Sequence, residues 1–345
     1  MASTLNRIIG ASIVAAVAGT TAASPALAAT AYEQRPAAAV GPVEHYRDLS
    51  AHGVVAGQVE VAGKTHPALA EIGHPGSLRW AKATGWADEV NGKGDALVAT
   101  GPTTLAFWPA GAPDVTPIEL PPLPGAPSLV TAVDLNDLGS FVLTVTYPDR
   151  PVDSWLARRS PVAAATWDYL PLRSPAFPRF VPVDLNDHDV VVGRYRPLAP
   201  APSEPGTRTA TFQPATGFRD VGDWVRSEPQ AINDDGFIVG TGSPTGAHER
   251  SFVYRPDEDV LDPLTPFLEL SGTNVEPNLR SLDDHGWLLA RAGEQLVVAN
   301  VSTGEVAATL DVLDPLTDTF IGLSEHGEFL HRDKFGDEFA WIPES

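Results

Sequence analysis

One short pattern recurs seven times along the 345-residue chain and limits the fold more than any other feature. Each copy has Ser, Asn or Asp, then two variable residues, then Gly or once Asp; we number these four turn residues first to fourth. Self-similarity at a period of 41 to 50 residues is the signature of a repeat architecture. The seven fourth turn residues are Gly53, Gly94, Gly139, Asp189, Gly236, Gly286 and Gly327.

The pattern predicts a β-hairpin. A Ser, Asn or Asp side chain at the first position caps the backbone N–H groups of its own turn. Glycine at the fourth position accepts the positive φ of the bulge that restores strand pairing. Asp189 replaces glycine in the fourth copy, and aspartate is among the few residues that tolerate this conformation. The apolar stretch that follows most copies, such as residues 190–192, favours a second strand.

Each repeat has the size of one propeller blade. An aromatic residue in a short apolar stretch follows most hairpins, then a polar turn and a further short strand, so a repeat supplies about four strands. Residues 29–52 and 328–345 together make about one more repeat, which a closed ring explains and a linear solenoid does not. We predict an all-β fold, a seven-bladed β-propeller with about four short antiparallel strands per blade, whose N- and C-terminal segments share one blade. An open β-solenoid and a pair of stacked β-sandwiches are the alternatives.

Three copies carry a resemblance to a known family. Residues 134–144 (DLNDLGSFVLT), 184–194 (DLNDHDVVVGR) and 231–241 (AINDDGFIVGT), each leading to an aromatic strand, resemble the HAF-type extracellular repeat. The resemblance covers nearly the whole chain after residue 28, with a looser fit around Gly53, Gly94 and Gly327. It implies a secreted, propeller-like repeat protein. It implies no established activity, so no functional residues are carried over.

The first 28 residues have the features of a secretory signal peptide. Arg7 supplies the positive region, residues 8–18 the apolar region, and Ala26-Leu27-Ala28 a small-residue cleavage site. The apolar region is shorter than the roughly 20 residues of a membrane span. We expect cleavage near Ala28, a single propeller over residues 29–345, and an extracellular location.

Composition restricts the partners and the chemistry. The formal net charge of −21 argues against nucleic acid and anionic membranes as partners, because both repel an acidic protein. The chain has no cysteine, which excludes disulfides, thiolate metal sites and a cysteine nucleophile. We expect a monomer whose partner is an extracellular polysaccharide or protein.

The histidines are weak candidates for a binding site. Four occupy the third turn position. The simpler interpretation is that they are exposed turn residues, and the alternative is that they form a pH-sensitive rim around a ligand. Oxygen-rich turns suggest calcium, but the ligands do not alternate over about 12 residues as a compact calcium loop requires. We therefore predict no metal and no cofactor, with calcium as the alternative. The candidates are His52, His188, His285 and His326 in the turns, and His248 in a loop.

Signals for an enzyme are poor. The chain lacks nucleophile-elbow spacing, an HExxH pattern and a glycine-rich phosphate loop, so no catalytic residue is assigned. We predict a non-enzymatic scaffold that binds its ligand through loops such as 198–207 and 242–249. An extracellular polysaccharide hydrolase or lyase at the channel mouth is the alternative, and ionisable residues with perturbed pKa in one pocket would favour it. Tryptophan in a repeat usually belongs to the core, with sugar stacking as the alternative for Trp80, Trp86 and Trp224.

Overall fold

The computed structural model describes residues 32–36, 43–160, 166–197, 206–246, 248–264, 275–292, 295–311, 319–333 and 338–343. The signal peptide predicted for residues 1–28 lies outside these ranges. Within them, the regular elements are 28 β-strands.

The strands form seven antiparallel sheets of four, and each sheet is one blade. Strand β1 (Tyr32–Pro36) belongs to the last blade. The first three blades follow it: β2 (Glu44–Leu49), β3 (Val54–Val61), β4 (Lys64–Glu71) and β5 (His74–Trp80); β6 (Trp86–Val90), β7 (Ala96–Gly101), β8 (Thr104–Trp108) and β9 (Thr116–Pro117); β10 (Leu129–Leu135), β11 (Phe141–Thr146), β12 (Asp153–Arg159) and β13 (Trp167–Pro171).

The remaining four blades continue in chain order. They are β14 (Val181–Leu185), β15 (Val191–Tyr195), β16 (Arg208–Gln213) and β17 (Gly217–Asp220); β18 (Arg226–Ile232), β19 (Ile238–Ser243), β20 (Arg250–Arg255) and β21 (Val260–Pro263); β22 (Val275–Leu282), β23 (Trp287–Ala292), β24 (Gln295–Asn300) and β25 (Val306–Asp311); and β26 (Thr319–Leu323), β27 (Phe329–Arg332) and β28 (Glu338–Pro343), with β1 as the fourth strand.

The blades close into a ring. The first strand of each blade contacts the first strand of the next, and β26 of the seventh blade contacts β2 of the first. Strand β1 pairs with β28, so the N-terminal and C-terminal segments share the seventh blade. The predicted seven-bladed propeller is therefore confirmed, and the solenoid and sandwich alternatives are wrong.

Each repeat pattern forms the turn between the first two strands of a blade. The fourth turn residue has φ between 57° at Asp189 and 82° at Gly327 in all seven blades. The first turn residue accepts a hydrogen bond from the backbone N–H four residues later, as from Ser140 to Asn136 Oδ1 at 2.9 Å. Just before the turn, the register of the first strand shifts by a β-bulge, for example between Ala132 and Asp134. Such a bulge re-aims the side chains that follow it.

The apolar core lies between adjacent blades. In one cluster, Leu69 of the first blade packs with Val98 and Trp108 of the second. In another, Val142 of the third blade packs with Val191 of the fourth. Because each face of a blade is buried against its neighbour, the channel at the centre is free to be polar.

Candidate functional site at the channel mouth

The seven turns surround one end of the central channel, where a cavity of about 350 Å³ opens. Every side chain that lines it belongs to a turn or to the end of a first strand, and none of these described lining residues is Phe, Tyr or Trp. The acidic rim, as we name it, is the set of acidic second turn residues around this cavity: Asp137, Asp187, Asp234, Asp284 and Glu325.

The first turn residues join neighbouring blades by a ladder of asparagine hydrogen bonds. The amide nitrogen of Asn91 donates to the carbonyl oxygen of Asn136 at 2.9 Å. Asn136 donates in the same way to Asn186, and Asn186 to Asn233, each also at 2.9 Å. Asn91, Asn136 and Asn186 therefore accept within their own turns through the side-chain oxygen and donate to the next blade through the nitrogen.

Two ladders of carboxylates run beside the asparagines. In the acidic rim, the backbone N–H of Asp137 donates to Asp187 Oδ1 at 2.6 Å, and that of Asp187 donates to Asp234 Oδ1 at 2.7 Å. Two residues before the turn, Asp134 accepts from the backbone N–H of Leu185 and Asp184 from that of Ile232, both at 2.8 Å. Some of the carboxylates at the channel mouth are therefore structural, because they accept hydrogen bonds from backbone N–H groups of neighbouring blades.

The asparagine ladder ends at Asn233 of the fifth blade, whose Nδ2 has no hydrogen-bond partner among the described residues, and Asp283 takes the first turn position in the sixth blade. Its Oδ1 accepts from the backbone N–H groups of His285 and Trp287 at 3.0 and 2.7 Å, as an asparagine oxygen would. Its Oδ2 is buried and has no hydrogen-bond partner among the described residues. Desolvation raises the pKa of Asp283 to about 7, and the charge of Glu325 acts in the same direction.

The acidic rim concentrates negative charge. Desolvation raises the pKa of Asp187 to about 6 and that of Asp284 to about 7, with the charge of Asp234 adding to both. Carboxylate oxygens of Asp187, Asp234 and Asp284 lie within 4.8 Å of one another. Three such groups are a chemically suitable set for a cation, yet Asp187 and Asp234 already accept backbone hydrogen bonds, so we assign them no metal. The alternative of calcium stays a prediction.

Three of the four turn histidines lie beside the acidic rim. His52 Nε2 of the first blade is 3.3 Å from Glu325 Oε1, and His285 Nε2 of the sixth blade is 3.5 Å from Glu325 Oε2. Glu325 thus joins three consecutive blades across the junction of the ring. His188 Nδ1 is 3.7 Å from Asp234. His326 is exposed at the third turn position.

The other candidates lie away from the cavity. His248 is exposed, but residues 198–205 and 247 of the predicted binding loops lie outside the described residues, so binding through those loops stays a prediction. Trp224 is 4% exposed and its Nε1 donates to the carbonyl oxygen of Leu261, so it belongs to the core and the sugar-stacking alternative is wrong for it. Trp86 is half-buried beneath the guanidinium of Arg47, whereas Trp80 is 41% exposed.

Comparisons of the sequence with known families and proteins find no relative. No family model matches the chain. No curated protein matches it either. Within the described residues, no helix is long and apolar enough to cross a membrane.

Solved structures of propellers are similar to this chain. The β-propeller domain of the Trilobed protease from Pyrococcus furiosus, which has an open velcro topology, is 11% identical with a TM-score of 0.56, over 88% of this chain and 96% of that one. The Cps50 (Swd1) β-propeller domain from Myceliophteria thermophila is 8% identical with a TM-score of 0.54, over 91% and 100% of the two chains. A puromycin hydrolase is 15% identical with a TM-score of 0.54, over 85% of this chain and 50% of that one. At these identities, the similarity shows the fold alone.

Proposed function

We propose that this protein is an extracellular, non-enzymatic binding module that receives a positively charged group of its ligand at the acidic rim. The observation that carries the proposal is the convergence of five acidic side chains on one cavity of about 350 Å³. Opposite charges at a concave, partly desolvated site attract more strongly than on an open surface. The ligand is a segment of an extracellular protein or polysaccharide that carries an amine or guanidinium group, and the protein acts as a monomer.

Secretion is supported by the N-terminal pattern that ends at Ala28, and the HAF-type resemblance of the repeats agrees with it. The net charge of −21 supports a cationic partner rather than nucleic acid or an anionic membrane. The absence of Phe, Tyr and Trp among the described residues of the cavity favours recognition of charge over stacking on a sugar ring.

Binding of a matched pair of peptides tests the proposal. Acetyl-Gly-Lys-Gly-amide and its norleucine analogue differ only in the charged amine, and their affinities for the mature protein are measured by calorimetric titration. We expect the lysine peptide to bind and the norleucine peptide not to bind. Equal binding of the two peptides, or no binding of either, would contradict the proposal.

A matched pair of double variants separates the acidic rim from the general acidity of the protein. Asp187→Asn with Asp284→Asn removes two charges from the rim, and Asp149→Asn with Asp168→Asn removes two from exposed positions elsewhere. The first pair should weaken lysine-peptide binding at least fivefold, and the second should change it less than twofold. Equal losses would mean that net charge, and not the rim, attracts the peptide.

An extracellular polysaccharide hydrolase or lyase is the second candidate. Carboxyl groups with raised pKa in one pocket favour it, because a general acid must hold its proton near neutral pH. Screening the mature protein against cell-wall and plant polysaccharides tests this function. Release of soluble sugar that is lost in Asp187→Asn or Asp284→Asn would establish the enzyme and overturn the non-enzymatic proposal.

A further inference from the structure

A second cavity lies beside the channel mouth, between the first and second blades. It has a volume of about 400 Å³ and shares His52 and Gly92 with the channel cavity. We name it the blade 1–2 cleft. Its polar lining consists of Arg79, Lys93, His52, Ser77 and Glu71, and glycines at positions 92, 94 and 111 leave part of its wall without side chains.

The cleft lies where the repeat departs from its acidic pattern. The second turn residue is acidic in the third to seventh blades, but it is Ala51 in the first blade and Gly92 in the second. The third turn residue of the second blade is Lys93, the one lysine or arginine among the seven copies of the turn. Positive charge therefore replaces negative charge on this side of the channel mouth.

Arg79 is fixed in place by contacts with neutral groups. Its guanidinium lies over the indole of Trp108, 4.7 Å from the ring centroid, and donates to the carbonyl oxygens of Gly94 and Pro109. No carboxylate of the described residues forms an ion pair with it, whereas Arg158 and Arg255 are paired with acidic side chains. Burial lowers the pKa of Arg79, against the effect of the charges of Asp95 and Glu71. An incoming anion would therefore find a preorganised, partly dehydrated cation.

Two further basic groups face the same cleft. Lys93 Nζ donates to the backbone oxygen of Asp137 at 2.6 Å, which holds the ammonium group at the edge between the cleft and the acidic rim. His52 lines both cavities. Glu71, which is exposed, is the acidic side chain in the lining. Its charge opposes an anion, whereas the charges of Arg79 and Lys93 attract one.

We propose that the blade 1–2 cleft is a binding site for a small carboxylate of the size of a uronic acid, held by the guanidinium of Arg79 and the ammonium of Lys93. A guanidinium matches the planar, two-oxygen geometry of a carboxylate and strengthens both hydrogen bonds by its charge. The proposal goes beyond recognition of a cation at the acidic rim and does not depend on it.

Glucuronate and glucose form the matched probes, because they share the sugar ring and differ in the carboxylate. Titrations are followed by the backbone amide NMR signals of Gly92 and Gly94 at low salt. We expect glucuronate to bind and shift these signals, and its affinity to fall with rising salt. Glucose should have no effect. Failure of glucuronate to bind, or equal shifts with glucose, would overturn the proposal.

Variants locate the carboxylate. Arg79→Gln and Lys93→Ser should each weaken glucuronate binding at least fivefold, and Glu71→Gln should strengthen it. Lys93 is exposed, so its replacement reports on binding even if Arg79→Gln impairs folding. Arg159→Gln is the matched control, because Arg159 lies over Phe107 and beside Gly139 as Arg79 lies over Trp108 and beside Gly94. An equal loss in the control, or none in Arg79→Gln and Lys93→Ser, would place the anion elsewhere and refute this site. The exposed pair Asp149→Asn with Asp168→Asn, away from both cavities, should leave glucuronate binding intact.

Discussion

Replacing Asp283 by asparagine should stabilise the propeller at alkaline pH and have little effect in acid. Asp283 is 5% exposed, and its Oδ2 has no partner among the described residues. In the third and fourth blades, the asparagine nitrogen at the corresponding place donates to the next blade. An asparagine at position 283 has no charge to bury and offers such a donor toward the turn of Ser324. The ionised carboxylate can only accept hydrogen bonds.

The expected magnitude follows from proton linkage. The folded-state pKa of Asp283 is raised to about 7 from an ordinary value of 3.8. The folded protein therefore binds more protons than the unfolded chain between these values, so stability is fully present below about pH 4 and falls as the pH rises through about 7. At about 1.4 kcal/mol for each pKa unit, the ionised group costs at most ~4 kcal/mol. A new hydrogen bond in the variant adds about 0.5–1.5 kcal/mol. We expect a net gain of about 2–4 kcal/mol at about pH 8.

Guanidinium chloride unfolding of the wild-type and Asp283→Asn proteins measures this difference. The assay is run with a chelator at about pH 8 and again at about pH 4.5, where most of the gain should disappear. The matched control is Asn186→Asp, which creates the same interruption at another blade and should destabilise the protein at the higher pH. A gain for Asp283→Asn that is equal at both pH values, or a more stable Asn186→Asp protein at about pH 8, would refute the reasoning.

Three other predictions follow from the same structure. Asp184→Ala should destabilise the protein by about 1–3 kcal/mol in chemical unfolding, because the buried N–H of Ile232 loses its acceptor. Removal of residues 329–345 should abolish the cooperative thermal transition, because it deletes β27 and β28 and leaves β1 and β26 with unpaired edges; a melt within a few degrees of the parent would contradict ring closure. Affinity for the lysine peptide should rise between about pH 5 and pH 8 in titrations, as Asp187 and Asp284 ionise through pKa values of about 6 and 7.

The fold was predictable because the constraints on the turns are local. A capping residue and a glycine three positions later set one hairpin, and their repetition at a nearly constant interval set the blades and their number. The neighbour that each side chain reaches was not predictable in this way. Asp134 and Asp184 recur two residues before the turn, and this recurrence is visible in the sequence. Their role depends on a β-bulge that directs them to the next blade, and a linear pattern does not reveal that direction.

For the candidate sites, too, the sequence predicts local positions but not the contacts between blades. The shared position of the acidic second turn residues could be read from the alignment of the copies, but the approach of Asp187, Asp234 and Asp284 to within 4.8 Å of one another depends on the diameter of the ring. Arg79 was missed because it lies on β5, outside the repeat pattern. The available signal was the departure of Gly92 and Lys93 from the acidic turns, since an exception in a repeat marks a position that folding alone does not explain.

The distribution of asparagine among the copies indicates how the ring is held together. Asparagine at the first turn position caps its own turn and also donates to the next blade, and the second to fourth blades use both functions. Ser50 and Ser324 flank the junction of the seventh and first blades, and a serine hydroxyl is too short to replace the second function. That junction instead uses the hydrogen bond from Glu325 N–H to the oxygen of Ala51 and the contact of Glu325 with His52. Within the seventh blade, the pairing of β1 with β28 joins the N-terminal and C-terminal segments. Repeats in the continuous part of the ring are thus joined through side chains of one pattern, whereas closure depends on backbone pairing between distant segments, which costs more chain entropy to form.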